Sequence, residues 1–184
     1  MTRLFTAGAE SGSPNIFTMN YYCEASTTKK RTGAYAFYSP GGGAYASQTL
    51  PAAVTELYLR MAIYPVGWAG SGGAVGYFRS STPTTQAVLT INKTTLLMSY
   101  CLGNDVPVLT GTHPIVLNTW QCIEVYYKVA DAPNGRFVVK LDGLTDIDFT
   151  GDTRNVDATV QIVYFTAYGD SWQFAGYFDD IAIN

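Results

Sequence analysis

The residues able to do chemistry are few and scattered. Glutamate is nearly absent, represented by Glu10, Glu24, Glu56 and Glu124, and the single histidine, His113, directly precedes Pro114. Glu56 and Glu124 each stand alone on the outward side of a strand pattern, and Asp146 and Asp148 fall in an acidic stretch after Gly143. Glycosidase chemistry needs two carboxyl groups held across one bond, and no such pair is written into the spacing. Each acid reads first as solvated charge. His113 has no chemical neighbourhood in sequence, and no nucleophile motif of the Ser-His-Asp kind occurs. Cys23, Cys101 and Cys122 are odd in number and lack C-x-x-C spacing, which supports neither a disulfide framework nor a zinc site. They read as buried free thiols of a protein folded in a reducing cytoplasm.

What remains is a set of candidate binding residues. Tyr58, Arg60, Tyr64 and Tyr126, with Lys128, fall on the outward positions of their strands. Sugar rings stack on aromatic faces and are oriented by nearby polar groups, so such a strip suits a glycan. A protein–protein contact uses the same composition, and half-wet tyrosines are also ordinary strand residues. Trp68 lies in a Gly-rich stretch from Gly67 to Gly73, read as a loop; it is either an interface anchor or a tryptophan folded back on its own domain.

The elements that must position these residues are strands. From Trp120 to Gly143 two alternating segments flank Asp131-Ala132-Pro133-Asn134-Gly135: Ile123, Val125, Tyr127 and Val129, then Phe137, Val139 and Leu141, share one face. Period-two patterning on both sides of such a turn predicts an antiparallel hairpin with one buried face. Leu57, Leu59, Met61 and Ile63 alternate in the same way. Further strands are expected near 3–6, 17–25, 34–38, 44–49, 74–80, 85–91, 94–101, 158–167 and 177–183. A loop with one short strand is expected over 103–118, and an acidic loop from Asp142 to Asp157. Low Glu and 18 glycines disfavour helices. The 184 residues are read as a single domain spanning 1–184. A net charge of −3 argues against a nucleic-acid partner, and Lys29-Lys30-Arg31 reads as a solvated loop. No apolar run is long enough for a membrane helix, and the N-terminus lacks a signal-peptide block.

Separated motifs carry a family resemblance. Ala7-Gly8-Ala9-Glu10-Ser11-Gly12, Trp120 with Ile-Glu-Val, Phe137 through Gly143, Gly151-Asp152-Thr153 and Tyr177-Phe178-Asp179-Asp180-Ile181 together resemble concanavalin A-like (laminin G-like) jelly rolls. The set is also similar to stand-alone jelly-roll proteins encoded by bacteriophages and bacteria, although Ala9 replaces the usual aromatic. The resemblance implies an all-β, two-sheet antiparallel jelly-roll sandwich. Hydrolases of this superfold carry Glu-x-Asp-x-x-Glu on one strand, and lyases of similar shape use Arg, Gln-x-His and Tyr. Neither run occurs here, so no enzyme activity is expected.

The resemblance further implies a structural Ca2+ held by Glu10 and Asp179 with backbone carbonyls; no other cofactor is required. Period-two counting back from Ile181 and Ile183 puts Asp179 on the core face. A carboxylate there is costly unless it is paired, metal-bound or hydrogen-bonded to backbone N–H groups or Trp/Tyr side chains. The functional expectation is a non-enzymatic bacteriophage virion structural protein, a capsid decoration or tail-associated protein made in the host cytoplasm. Its partners would be other virion proteins or the capsid surface, with host glycans and homo-oligomerisation as further options. The alternative is a carbohydrate-binding module or lectin-like protein that uses its surface tyrosines.

Overall fold

The computed structural model describes residues 3–70, 72–82, 84–103, 106–165 and 172–184. Its strands in chain order are β1 (Phe5–Ala7), β2 (Met19–Tyr21), β3 (Glu24–Ser26), β4 (Ala36–Ser39), β5 (Tyr45–Val54), β6 (Glu56–Gly70), β7 (Gly72–Arg79), β8 (Thr85–Asn92), β9 (Leu97–Leu102), β10 (Val106–Pro114), β11 (Gln121–Lys128), β12 (Gly135–Leu141), β13 (Leu144–Gly151), β14 (Val160–Phe165) and β15 (Trp172–Ile183). One sheet runs β13-β12-β11-β6-β15 and is extended by β1 and β4 against β15. The other runs β10-β9-β8-β7-β14-β5-β2. A single parallel pair, Trp172 with Gly72, joins the two. This is the two-sheet, concanavalin A-like sandwich that the resemblance implies.

The packing follows from that alternation. β11 pairs with β6 so that Tyr126 opposes Tyr58, Val125 opposes Leu59 and Glu124 opposes Arg60. Successive side chains in a strand point to opposite faces, so each apolar pair faces inward and each polar or aromatic pair outward. Leu57, Leu59, Met61, Ile123, Val125, Phe137 and Val139 are all buried in the core. Between the sheets, Tyr100 of β9 stacks on Phe137 of β12 at 4.1 Å and 13°. Phe78 of β7 meets Tyr127 of β11 edge-on at 5.4 Å.

Thr153 closes the end of the β11–β12 hairpin. Its carbonyl accepts the Tyr127 hydroxyl at 2.7 Å, its Oγ1 donates to the Lys128 carbonyl at 2.6 Å, and it accepts the Ala130 N–H at 3.1 Å. A Cβ at Gly135 would run into Thr153 Oγ1, which is why this turn ends in glycine.

Several expected loops are strands. In the 103–118 stretch the short strand expected within a loop is the nine-residue β10, whose length Pro107 and Pro114 disguise; proline is tolerated here because β10 pairs with β9 at a sheet edge. Of the expected Gly67–Gly73 loop, residues 67–70 end β6 and 72–73 open β7, with Gly67 paired to Ala175 of β15, while Ser71 lies outside the described residues. Asp146 and Asp148 lie on β13 rather than in an acidic loop. The 17–25 strand is two short ones, broken at Tyr22, whose φ is 59°.

Truncation of Phe137 to Ala removes the inter-sheet stack, and the expected cost is about 3–5 kcal/mol in urea unfolding. Tyr127→Phe, which leaves the Thr153 carbonyl without its phenol donor, is expected to cost about 1–2 kcal/mol in the same assay.

Candidate functional site

The outward face of β6, β11 and β12 carries most of the expected binding residues. Tyr58 and Tyr126 lie against each other with centroids 4.5 Å apart and rings inclined by 30°. They border an open cavity of about 300 Å³ whose other walls include Arg60, Glu124, Val138 and Lys140. Tyr58 remains 40 % exposed, so its ring is available to a ligand. Arg60 Nε donates to Cys122 Sγ at 3.4 Å and stands 4.0 Å from Glu124 Oε1. The Tyr126 phenol donates to Glu56 Oε2 at 3.0 Å. Burial and then the Glu56 carboxylate push its pKa up to about 12, so at neutral pH it is a fixed donor and an aromatic platform rather than a base.

Tyr64 belongs to a second aromatic group, three outward positions further along β6. Trp120 meets it edge-on at 5.6 Å, and Tyr177 does so at 6.0 Å from β15. Tyr38 packs on Tyr177 at 4.8 Å. The Lys29 ammonium lies 5.3 Å above the Tyr64 ring centroid, within cation–π range. Of the expected binding residues, then, Tyr58, Arg60 and Tyr126 share one cavity and Tyr64 sits beyond it. The side chain of Trp68 lies outside the described residues; its backbone, in β6, pairs with Phe174 of β15.

Asp179 does not face the core. It opposes Ala62 on the outward face, and the ladder then skips to Ala182 opposite Arg60. The extra residue is Asp180, held at a φ of 50°. A β-bulge of this kind resets the alternation, so counting back from Ile181 gives the wrong face. Asp179 is nevertheless only 1 % exposed, because the 26–33 connection covers it. Its oxygens accept the Asp180 N–H at 2.9 Å and the Arg31 N–H at 3.4 Å, with the Thr32 N–H also bonded. Arg31 and Thr32 side chains bond Asp180 at 3.2 and 2.8 Å. Glu10 Oε2 accepts the Ala34 N–H at 2.9 Å, and a Cβ at Gly33 would run into the Glu10 carboxylate.

Glu10 and Asp179 therefore both serve the backbone of one connection. The donors around Asp179 are N–H groups, which suit a carboxylate rather than a cation, so this set does not fit the expected calcium. Among the described residues no group of three or more His, Cys, Asp or Glu side chains could hold a metal.

Tertiary structure also assembles residues that are far apart in sequence. His113 Nδ1 lies 3.0 Å from Asp146 Oδ1, which also accepts the Thr112 and His113 N–H groups at 2.7 and 2.8 Å. This buried carboxylate ties β10 to β13 and thereby bridges the two sheets. On the outer side of the second sheet, Tyr45, Tyr77 and Tyr164 pack together, and Arg79 Nη1 donates to the Tyr164 hydroxyl at 3.2 Å. That cluster escaped sequence reasoning because its members come from three strands. The repeated tyrosines of β5, β7 and β14 were the available signal.

No family model matches the chain, and no curated protein matches it in sequence. The fold does have solved counterparts. An endo-β-1,4-glucuronan lyase from the fungus Trichoderma reesei superposes with a TM-score of 0.70 at 13 % identity, covering 100 % of this chain and 95 % of that one. A marine PL-14 alginate lyase from Aplysia kurodai gives 0.68 at 14 % identity, covering 100 % and 99 %. The carbohydrate-binding module CBM66 from Bacillus subtilis gives 0.59 at 15 % identity, covering 90 % and 94 %. The shared property is the fold.

These counterparts overturn the expected kinship with phage-encoded jelly rolls. The virion structural role, the virion location and the capsid or tail partners fall with it. Few charges and no linear catalytic run describe many β-sandwiches equally well, which is why they misled. The expectation of no enzyme activity is corrected for the same reason: lyases carry this fold, and a sandwich can bring groups together from different strands, so the lack of a linear run does not exclude activity. Among the described residues no helix is long and apolar enough to cross a membrane.

Asp179 offers two checks. Asp179→Ala is expected to lower the melting temperature, while exhaustive chelation of the native protein leaves it unchanged; a fall on chelation would reinstate the calcium. Burial holds the Asp179 carboxyl above its ordinary range, against the pull of the Asp180, Thr32 and Arg31 N–H groups, with the Asp180 charge adding to the rise. The native state then binds this proton more tightly than the unfolded chain. Stability relative to Asp179→Asn should therefore fall as pH rises from about 4 through the raised folded-state value, measured by denaturant unfolding.

Proposed function

We propose that the protein is carbohydrate-active and holds a polysaccharide segment on the outward face of β6, β11 and β12. The observation that carries this reading is the Tyr58–Tyr126 platform beside Arg60, Glu124 and Lys140 in one open cavity. A pyranose ring presents C–H groups to an aromatic face and hydroxyls at its rim. The two rings supply the face, and the three charged groups and the Tyr126 oxygen supply polar partners at the edge. The counterparts in fold, which include a carbohydrate-binding module and polysaccharide lyases, support the same class of ligand.

A second reading, elimination on an acidic polysaccharide, is favoured by Arg79 and Tyr164 on the opposite sheet. Such a reaction needs a cation against the uronate carboxylate and a group that exchanges a proton, and this pair supplies one of each. Incubation with alginate or glucuronan, followed by near-ultraviolet absorbance of the conjugated double bond, tests it; loss of the signal in Arg79→Ala is the expected companion result.

The binding reading is tested by affinity electrophoresis against a panel of polysaccharides. Tyr58→Ala and Tyr126→Ala are each expected to weaken retention of the bound polysaccharide about tenfold, the equivalent of one lost stacking contact, with melting temperatures close to the parent. Retention unchanged in both variants would remove the site.

A further inference from the structure

We propose that His113 and Asp146 form a proton-transfer dyad that hydrolyses an uncharged acyl ester, on the side of the sandwich where the edges of its two sheets meet. The pair is separate from the Tyr58–Tyr126 platform. Spacing gives His113 no chemical neighbour; closure of the sandwich supplies one. β10 and β13 are edge strands of opposite sheets, and each breaks register where they meet. On β13, Val139 opposes Ile147 and Lys140 opposes Thr145, which leaves Asp146 as an extra residue. On β10, Gly111, Thr112 and His113 lie where β9 supplies only Met98. Bulges re-aim side chains, and these two turn toward each other. The close approach requires glycine at 111, because a Cβ there would run into Asp146 Oδ2.

The contact has the geometry of a base and its orienting acid. The Asp146 side chain is fully buried, while that of His113 is 46 % exposed. A carboxylate only accepts hydrogen bonds, so the 3.0 Å contact places the imidazole proton on Nδ1. Nε2 is then the basic nitrogen, on a ring open to solvent. The Thr112 and His113 N–H groups, at 2.7 and 2.8 Å from Asp146 Oδ1, fix the carboxylate against the ring. Asp146 Oδ2 is buried with no hydrogen-bond partner among the described residues. The carboxylate charge is thus left to meet the imidazolium that forms when Nε2 accepts a proton.

In the step this allows, Nε2 takes a proton from water as the water oxygen bonds to the ester carbonyl carbon. The tetrahedral adduct then breaks its C–O bond to the alcohol, which leaves with the proton from Nε2; ester and water become acid and alcohol. The surroundings favour an uncharged substrate. Neither 106–119 nor 142–149 contains Lys or Arg, and Lys140, opposite Thr145, lines the cavity beside Tyr58 instead. Val116 and Leu144, close in sequence to the pair, are exposed apolar side chains.

The test is turnover of p-nitrophenyl acetate, followed by nitrophenolate release, together with nitrogen NMR of the one histidine. Turnover past one equivalent, slower in D2O because a water O–H bond breaks, is the expected result, with the native ring proton on Nδ1. His113→Asn, which keeps an N–H toward Asp146, should lower the rate about a hundredfold. Asp146→Asn should lower it about tenfold and shift the ring proton toward Nε2. A purely structural pair would instead lower the melting temperature in Asp146→Asn and leave the rate unchanged, which overturns the dyad. So does a native ring proton on Nε2, or His113→Asn turning over the ester as fast as the parent. Release that stops at one equivalent, or an equal rate in D2O, shows that a side chain itself takes the acyl group and overturns the general-base role. A p-nitrophenyl ester with a carboxylate on its acyl group should react more slowly; equal rates overturn the uncharged-substrate assignment.

Discussion

The pairing register of β6 with β11 is the constraint on which the molecule turns. Because Val125 opposes Leu59, the same ladder must set Tyr126 against Tyr58 and Glu124 against Arg60. A slip of one residue would put the tyrosines into the core and the leucines into water, so burial of the inward set fixes the outward set with no separate stabilisation. The core thus organises the surface. The aromatic contacts between sheets, above all Tyr100 on Phe137, hold the inward side, and the outward side inherits its rigidity from them.

This economy explains what could be read from the chain alone. β11, β12 and the first half of β6 alternate cleanly, so their faces, and with them Tyr58, Arg60 and Tyr126, were legible. Prolines hid β10, and glycines hid the junction of β6 and β7, because local propensity there speaks for turns while pairing with β9 and β15 overrides it. Contacts that join distant strands left no trace in spacing. Asp146 beneath His113 and Arg79 against Tyr164 arise only from the closure of the sandwich.

The functional class shows the same division. Alternation and motif resemblance carry the architecture and admit glycans as one ligand, whereas the features that point to a virion role are shared by any quiet β-sandwich. A face that binds sugar needs rings, hydrogen-bonding groups and in some cases cations, and these can be supplied one per strand by residues that look ordinary in a linear reading.

Asp180 is the one residue of β15 that breaks step, and its place in the strand amounts to a frameshift in the sheet. With it, Phe178 and Ile181 both reach the core although three positions separate them, and Asp179 is left outside to fasten the Lys29 connection. In a regular strand, alternation counted back from Ile181 and Ile183 would turn Asp179 inward and Phe178 outward, and the connection would lose its anchor. Any transplant of this strand into another sandwich must therefore carry the bulge with it: the acidic pair works as a spacer in the backbone before it works as charge.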